Sequence, residues 1–367
     1  MQKANILILC THAVFLHSHR IKFIQRLRMK GYSVSALLGK HPSNKADEHA
    51  QNLLRFEGLD LYIGASKILM HVLFIIINFK KIDKVIYIGV RQIILGSLLL
   101  LVKSKSKHVF VFSGLSGMLH SQSWKTQTVV KIIFSFLKLL MWKKDLVAIV
   151  QNTHDFDYIS KHLKIKHVIL VPGSGTDLNL FPKIDFDDKK NQVVFVGRIL
   201  VDKGVLEFIQ AATELKKNYP NWDFKICGGI YTKNRNSISA EHLENILAGT
   251  NVSYSGHVDN IHHVLTEAKI MCLPSYHEGF PKAIVDACAA GCAIVTTNVP
   301  GCNESIEHGT HGLLVKSKDI TALKNALETC ICDDAKLREF SFNARALAIK
   351  KYSVDEITDQ LMYALGA

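Results

Sequence analysis

Leu273-Pro-Ser-Tyr-His-Glu-Gly-Phe-Pro-Lys-Ala-Ile-Val-Asp-Ala-Cys-Ala-Ala-Gly291 joins the end of an apolar run to a helical pattern through a short polar turn. Pro281 stands where a helix accepts proline in its first turn, and Gly291 where a helix stops. Strand, turn and helix in this order form the repeating unit of a parallel sheet. Glu278 precedes the helix and Asp286 lies inside it, eight positions on. That spacing is a little over two helical turns, so both carboxylates can face one ligand at different depths. The amides of Gly279 and Phe280 would meet its anionic part at the positive end of the helix. The same two acids also fit a helix cap and a solvated helix position.

Upstream, Val196-Gly-Arg-Ile-Leu-Val-Asp-Lys-Gly204 repeats the pattern, with a strand ending at Gly197 and a helix beginning near Gly204. Backbone N–H groups, the Arg198 guanidinium and the Lys203 ammonium together suit a phosphate or diphosphate. A solvated loop with two unrelated cations is the other reading. Further strands are expected at Gln192–Val196, Phe224–Cys227, Val252–Tyr254, Ile270–Leu273 and Ala293–Thr296, and a helical stretch at 319–365.

The first half alternates in the same way. Strands are expected at Ile6–Leu9, Ser33–Leu38, Val85–Ile88, His108–Phe112, Leu146–Val150 and His167–Val171, with helices around 19–30 and from Gln92 to Val102. A polar break runs from Pro172 to Asn191. The expected fold class is therefore α/β, two doubly wound parallel-sheet domains facing each other across a cleft, with binding loops at the carboxyl ends of the strands. Its parts are a first domain at 1–172, a linker at 173–191, a second domain at 192–350 and a C-terminal helix at 351–367 able to pack back on the first domain.

Of 367 residues, 48% are apolar and 21% charged, which excludes a disordered chain. Residues 1–180 carry 25 basic and 9 acidic side chains, a net +16, whereas 181–367 carry 20 and 23, a net −3. An excess confined to one half points to an anionic partner for that half, either nucleic acid or a membrane face. The eight cysteines read as free buried thiols. The first residues read as a β-strand and not a signal peptide, so a cytoplasmic location is expected. Val85–Val102 is interrupted by Arg91, Gly89, Gly96 and Ser97, and Lys67–Lys81 is short for a span. Trp124–Lys144 combines Trp124, Phe134, Phe136 and Trp142 with Lys125, Lys131, Lys138, Lys143 and Lys144, the composition of a helix lying on a membrane surface or of a core helix with basic ends.

Glu278-Gly-Phe-Pro281 with Asp286, preceded by Gly197-Arg198 and Lys203-Gly204, resembles the nucleotide-sugar site of glycosyltransferase family 4, retaining enzymes of the GT-B fold. The resemblance extends over nearly the whole chain, including Val171-Pro-Gly-Ser-Gly-Thr-Asp177 and the loop Gly301–Glu304. It is nearest to bacterial enzymes that extend polyprenyl-diphosphate-linked oligosaccharides. The resemblance implies that Arg198 and Lys203 bind the donor diphosphate and stabilise it as it leaves. It implies that Glu278 contacts the transferred sugar, that the Gly279 and Phe280 amides hold sugar and phosphate oxygens, that Pro281 belongs to the same donor-binding segment, and that Asp286 bonds the ribose. Relatives usually carry Glu at that last position, so Asp286 is one methylene shorter. The base would fall near Gly228-Gly229 and the turn Gly256-His-Val-Asp259, against Val258.

The donor the resemblance implies is a UDP-sugar, with N-acetylhexosamine or hexose transferred. No cofactor and no metal are implied. Acceptor residues are expected in the first half: Ser113, Gly114 and His120 in one loop, and His17, His19 and Arg20 in the loop Thr11–Arg20, where relatives often have a glycine pair. A surface histidine is the other reading of His120. Expected partners are the nucleotide sugar, a polyprenyl-diphosphate-linked saccharide and the anionic inner face of the cytoplasmic membrane, in the building of surface polysaccharide or glycan. Alternatives are an epimerase or phosphorylase-like enzyme of the same fold, and a basic nucleic-acid-binding protein, for which no recognition element is visible.

Overall fold

The apolar runs of the first half become strands covered on both faces. The computed structural model describes residues 4–38, 45–56, 59–63, 82–97, 100, 106–113, 115, 124–141, 146–163, 165–231, 234 and 236–367. Within it, β1 (Asn5–Cys10), β2 (Ser33–Leu38), β3 (Asp60–Ile63), β4 (Lys84–Ile88), β5 (Lys107–Phe112), β6 (Leu146–Val150) and β7 (His167–Leu170) pair in the order β3-β2-β1-β4-β5-β6-β7. All the pairings are parallel. Helices α1 (Ala13–Met29), α2 (Lys45–Phe56), α3 (Val90–Ser97), α4 (Trp124–Met141) and α5 (Thr153–Leu163) accompany the strands. Alternate residues of β1 feed opposite cores, Ile6 and Ile8 on one face and Leu7 and Leu9 on the other, as the two-residue period of a strand requires.

In the second half, β8 (Lys190–Val196), β9 (Asp223–Cys227), β10 (Ser253–Tyr254), β11 (Ala268–Leu273), β12 (Ala293–Thr297) and β13 (Gly312–Val315) form a parallel sheet in the order β10-β9-β8-β11-β12-β13. Its helices are α6 (Val205–Asn218), α7 (Ala240–Leu247), α8 (Ile261–Glu267), α9 (Lys282–Ala289), α10 (Cys302–Ser305), α11 (Ile320–Cys332) and α12 (Asp334–Lys351). Strand β8 lies between β9 and β11, so the strand order reverses there and the loops leaving β8 and β11 emerge side by side. Such a reversal is where doubly wound sheets bind ligands.

The chain divides into two compact units, Met1–Ser174 with Asp355–Ala367, and Gly175–Val354. The last helix, α13 (Val354–Leu365), buries Ile357, Leu361, Met362 and Leu365 in the core of the first unit. Lys84 donates to the Leu365 and Gly366 carbonyls at 3.1 and 3.0 Å and so covers the free end of that helix.

The polar stretch expected as a linker at 173–191 is built into the second unit from Gly175 onward. Phe181 is buried in its core, and Lys189 is buried with its ammonium donating to the carbonyls of Thr266 (2.7 Å), Ala290 (2.9 Å) and Ala268 (3.2 Å). A lysine in a charged run is thus a cap for the ends of α8 and α9. Two other expectations are corrected. Thr11–Arg20 is not a loop, since α1 begins at Ala13, and the helix expected from Gln92 begins at Val90. Among the described residues no helix is long and apolar enough to cross a membrane.

Candidate functional site

The loop after β8 begins at Gly197, whose N–H donates to the Cys227 carbonyl at 3.0 Å. A single 3-10 turn, Val201–Lys203, is closed by Gly204 at φ +72°. A Cβ at Gly204 would run into the Pro274 carbonyl, so only glycine lets this loop touch the one that follows β11. The Tyr276 N–H donates to the Asp202 carbonyl at 2.9 Å and ties the two loops a second time.

This contact brings together two residues 75 positions apart. Lys203 Nζ lies 2.5 Å from Glu278 Oε1, and each side chain is only 14% exposed. Ser275 Oγ donates to the same oxygen at 2.9 Å. Glu278 is therefore oriented through Oε1 by one lysine and one hydroxyl. Behind it, the loop Asn298–Gly301 presses on the main chain: Gly301 sits at φ +82°, and a Cβ there would lie 2.6 Å from the Gly279 carbonyl and 2.7 Å from that of Glu278. Beneath the pair, burial pushes the Cys302 thiol up to about 12, with the negative charge of Glu278 adding to the effect.

Pro281 is the N-cap of α9, which starts at Lys282, one residue later than the sequence pattern suggests. Phe280 packs edge-on to Tyr352 with ring centroids 5.5 Å apart. Asp286 is 6% exposed in a helix whose other buried members are Ile284, Val285, Ala287, Cys288 and Ala289. Its Oδ1 accepts from Thr176 Oγ1 at 2.7 Å and pairs with Lys282 Nζ at 2.7 Å. Glu278 and Asp286 are thus held alike, each by a lysine and a hydroxyl converging on one oxygen.

Arg198 is exposed, its guanidinium 5.8 Å from the centroid of the Tyr231 ring. Val258 packs partly buried against the core, in a turn whose Gly256 carbonyl accepts from the Gly228 N–H at 2.7 Å. The structure therefore joins Gly228-Gly229 to the Gly256–Asp259 turn. Tyr276 donates to Glu207 Oε1 at 2.5 Å, and its phenol is raised above its ordinary value by burial first and by this bond second.

In the first unit the expected acceptor residues separate. Gly114 and His120 lie outside the described residues. Ser113 follows β5 and is half-buried. His17 and His19 are half-buried on α1, where His19 stacks on Phe15 at 4.3 Å and shares a 2.7 Å hydrogen bond with Ser18. Arg20 is 3% exposed, and its guanidinium donates to the carbonyls of His19 (3.0 Å) and Gly173 (3.4 Å). Burial pulls it down to about 10. It braces the interior of this unit, which corrects its expected place in an acceptor loop.

The sequence singled out Lys203, Glu278 and Asp286, each of which is ion-paired here, but gave no role to Ser275, Thr176 or Lys282. Lys282 was within reach, since it stands one helical turn before Asp286. Thr176 is 110 positions away from it. Among the described residues no group of three or more His, Cys, Asp or Glu side chains is placed to hold a metal ion.

Two parallel sheets of this kind, with a strand-to-helix site in the second, define the GT-B class. Sucrose-phosphate synthase from Thermosynechococcus elongatus superposes on 99% of this chain and 98% of its own, with a TM-score of 0.82 and 18% identity. Anabaena HepE in complex with UDP superposes over the full length of both chains, with a TM-score of 0.81 and 18% identity. Residues 177–347 match the family model for glycosyl transferases group 1. A curated relative is the N,N′-diacetylbacillosaminyl-diphospho-undecaprenol alpha-1,3-N-acetylgalactosaminyltransferase of Campylobacter jejuni, 30% identical over 239 residues, 61% of this chain and 61% of the relative. The match thus spans about three fifths of that relative's length.

Proposed function

We propose that this chain is a retaining glycosyltransferase. It moves an N-acetylhexosamine or hexose from a UDP-sugar to a polyprenyl-diphosphate-linked saccharide during assembly of a bacterial surface polysaccharide or glycan. The observation that carries the reading is the Lys203–Glu278 pair, set between the loop after β8 and the amides that open α9. Cleaving the sugar–phosphate bond leaves negative charge on the diphosphate and positive charge on the sugar ring. An ammonium and a carboxylate 2.5 Å apart can serve those two charges in one site. Lys203 and the exposed Arg198 would stabilise the leaving group, the Gly279 and Phe280 amides would hold phosphate and sugar oxygens, and Glu278 would meet the sugar hydroxyls. The leaving diphosphate then takes the acceptor's proton.

The UDP donor is supported by HepE, whose structure holds UDP, and the lipid-diphosphate acceptor by the C. jejuni relative's name. Residence at the inner face of the membrane is supported by the basic first half and by α4, which exposes Trp124, Ile132 and Leu139 beside Lys131 and Lys138. The match of residues 177–347 to the glycosyl transferases group 1 model favours transfer over nucleic-acid binding.

The test is a transfer assay with the purified protein, a panel of UDP-, GDP- and CMP-sugars, and a synthetic polyprenyl-diphosphate saccharide. A lipid-linked product lengthened by one sugar, with its anomeric configuration kept, is the expected result. Conversion of the donor without acceptor would establish the epimerase alternative, and tight duplex DNA binding at physiological salt with no nucleotide-sugar response would establish the other.

A further inference from the structure

We infer that Thr176 and Lys282 are positioning residues that present Asp286 as the acceptor for the vicinal diol of the donor's ribose; this rests on the donor reading above. The argument begins with cost. Asp286 is 6% exposed in an otherwise apolar stretch of α9, and a carboxylate so placed needs compensation. Lys282 supplies the charge from one turn earlier, and Thr176 supplies a hydroxyl from the strand-like segment where the chain enters the second unit.

Both bonds, each 2.7 Å, fall on Oδ1. Two donors on one oxygen fix the plane of the carboxylate and direct Oδ2 as the remaining acceptor. The same device holds Glu278, whose Oε1 takes Lys203 at 2.5 Å and Ser275 at 2.9 Å. Two acids on one strand-to-helix turn, each with one oxygen clamped, are built to offer their second oxygens to hydroxyl donors. Glu278 stands in the turn four residues ahead of Lys282, where the helix begins, and Asp286 about one turn inside it. A nucleotide sugar carries hydroxyls at both places, on the sugar and on the ribose, with the diphosphate between.

The clamp also answers the shorter reach of aspartate. An aspartate has one rotatable bond fewer than glutamate, so its oxygen must be aimed by its surroundings. Thr176 is itself held in place, its N–H donating to the Tyr352 carbonyl at 2.8 Å and its carbonyl accepting from the Val354 N–H at 2.8 Å. Its hydroxyl is therefore fixed by main chain that a Thr→Val change leaves intact.

Isothermal titration of the purified full chain with UDP and with 2′,3′-dideoxy-UDP tests the inference. The unmodified protein should prefer UDP by at least tenfold, because a site built to bond a hydroxyl rejects a ligand that lacks it. Lys282→Met and Thr176→Val should each lower the affinity for UDP by about 3- to 10-fold and leave the dideoxy affinity unchanged, shrinking the discrimination toward unity. Lys282→Arg and Thr176→Ser should restore it. A merely structural role would weaken both ligands alike, and that result overturns the inference. Tighter UDP binding by Lys282→Met also overturns it, since the ion pair would then be an obstruction. UDP binding without ribose discrimination in the unmodified protein overturns it while leaving the donor reading intact. No nucleotide binding at all overturns both.

Discussion

Lys203 and Glu278 leave little room for neutral exchange. Each is 14% exposed, so removing one partner strands a charge that solvent reaches poorly. Lys203→Ala should lower kcat by about 10²-fold or more, by analogy with loss of one donor to a developing oxyanion, and Arg198→Ala should act in the same direction. Steady-state kinetics on protein with an unchanged melting temperature checks this; near-normal kcat in both variants would discard the assignment. Gly301 gives a sharper case because its side chain is absent for a reason. Gly301→Ala places a methyl 2.6 Å from the Gly279 carbonyl and adds backbone strain at φ +82°. The Glu278–Gly279 peptide must then shift by several tenths of an ångström. Donor KM should rise and kcat fall together, whereas Gly309→Ala, at a similar φ with open space around it, should affect stability alone. At this scale the sequence disclosed the charged residues, because their spacing along a strand–turn–helix is local. It did not disclose Ser275 or Thr176, whose meaning lies in the oxygen they bond.

Elements were legible in proportion to their burial. The central strands β1, β4, β5, β8 and β11 each contain a continuous apolar run, Ile6–Cys10, Val85–Ile88, Val109–Phe112, Val193–Val196 and Ile270–Leu273, as strands covered on both faces do, and each falls where the pattern puts it. Strands β3 and β13, four residues each at sheet edges, were missed: Asp60–Ile63 and Gly312–Val315 are too short to show a period. Helix α4 was recognised as ambiguous, and its faces now separate. Val130, Phe134 and Leu137 are buried, while Ile132 and Leu139 lie one heptad apart and are 64% and 72% exposed. Lys131 and Lys138, also a heptad apart, run beside them, and the helix contains no acid. An apolar ridge flanked by cations suits an anionic bilayer. Replacing Lys131 and Lys138 with Gln should weaken binding to vesicles containing phosphatidylglycerol by about 2 kcal/mol, roughly thirtyfold, at about 1 kcal/mol per lysine. Ile132→Ser with Leu139→Ser should weaken it further and at any salt concentration. Sedimentation with vesicles reads both, and unchanged binding in the two double variants would remove the membrane role from α4.

At the scale of the molecule, the chain's order and its units do not coincide. The first unit is completed only by residues 355–367, which return after the whole second unit has been built. Charge follows the same division, since the basic excess belongs to residues 1–180. Composition made the asymmetry visible, and helicity near 351–367 suggested a returning helix, but its seat depends on contacts more than 250 positions away, such as Lys107 to Leu365 at 3.4 Å. Helix α13 inserts Ile357, Leu361, Met362 and Leu365 into a core made by β1, β2 and α1. Burying four such side chains is worth about 6–12 kcal/mol at roughly 1.5–3 each. That is comparable to the entire stability of an ordinary domain, about 5–15 kcal/mol. Arg26 adds an exposed pair with Asp355 at 3.0 Å, which contributes little by comparison. A chain stopped before Val354 should therefore lose the cooperative unfolding of its first unit while the second keeps its own core of Val193, Phe195, Phe208 and Met271. Calorimetry should show one transition lost or moved far down in temperature and one retained. UDP should still raise the retained transition, because Lys203, Glu278 and Asp286 all lie within Gly175–Val354 and a ligand stabilises only the fold that binds it. Transfer to a lipid acceptor should vanish together with the first transition. If both transitions disappeared, the second unit would need the first to fold; if neither moved, the core contacts of α13 would be worth far less than their buried area implies.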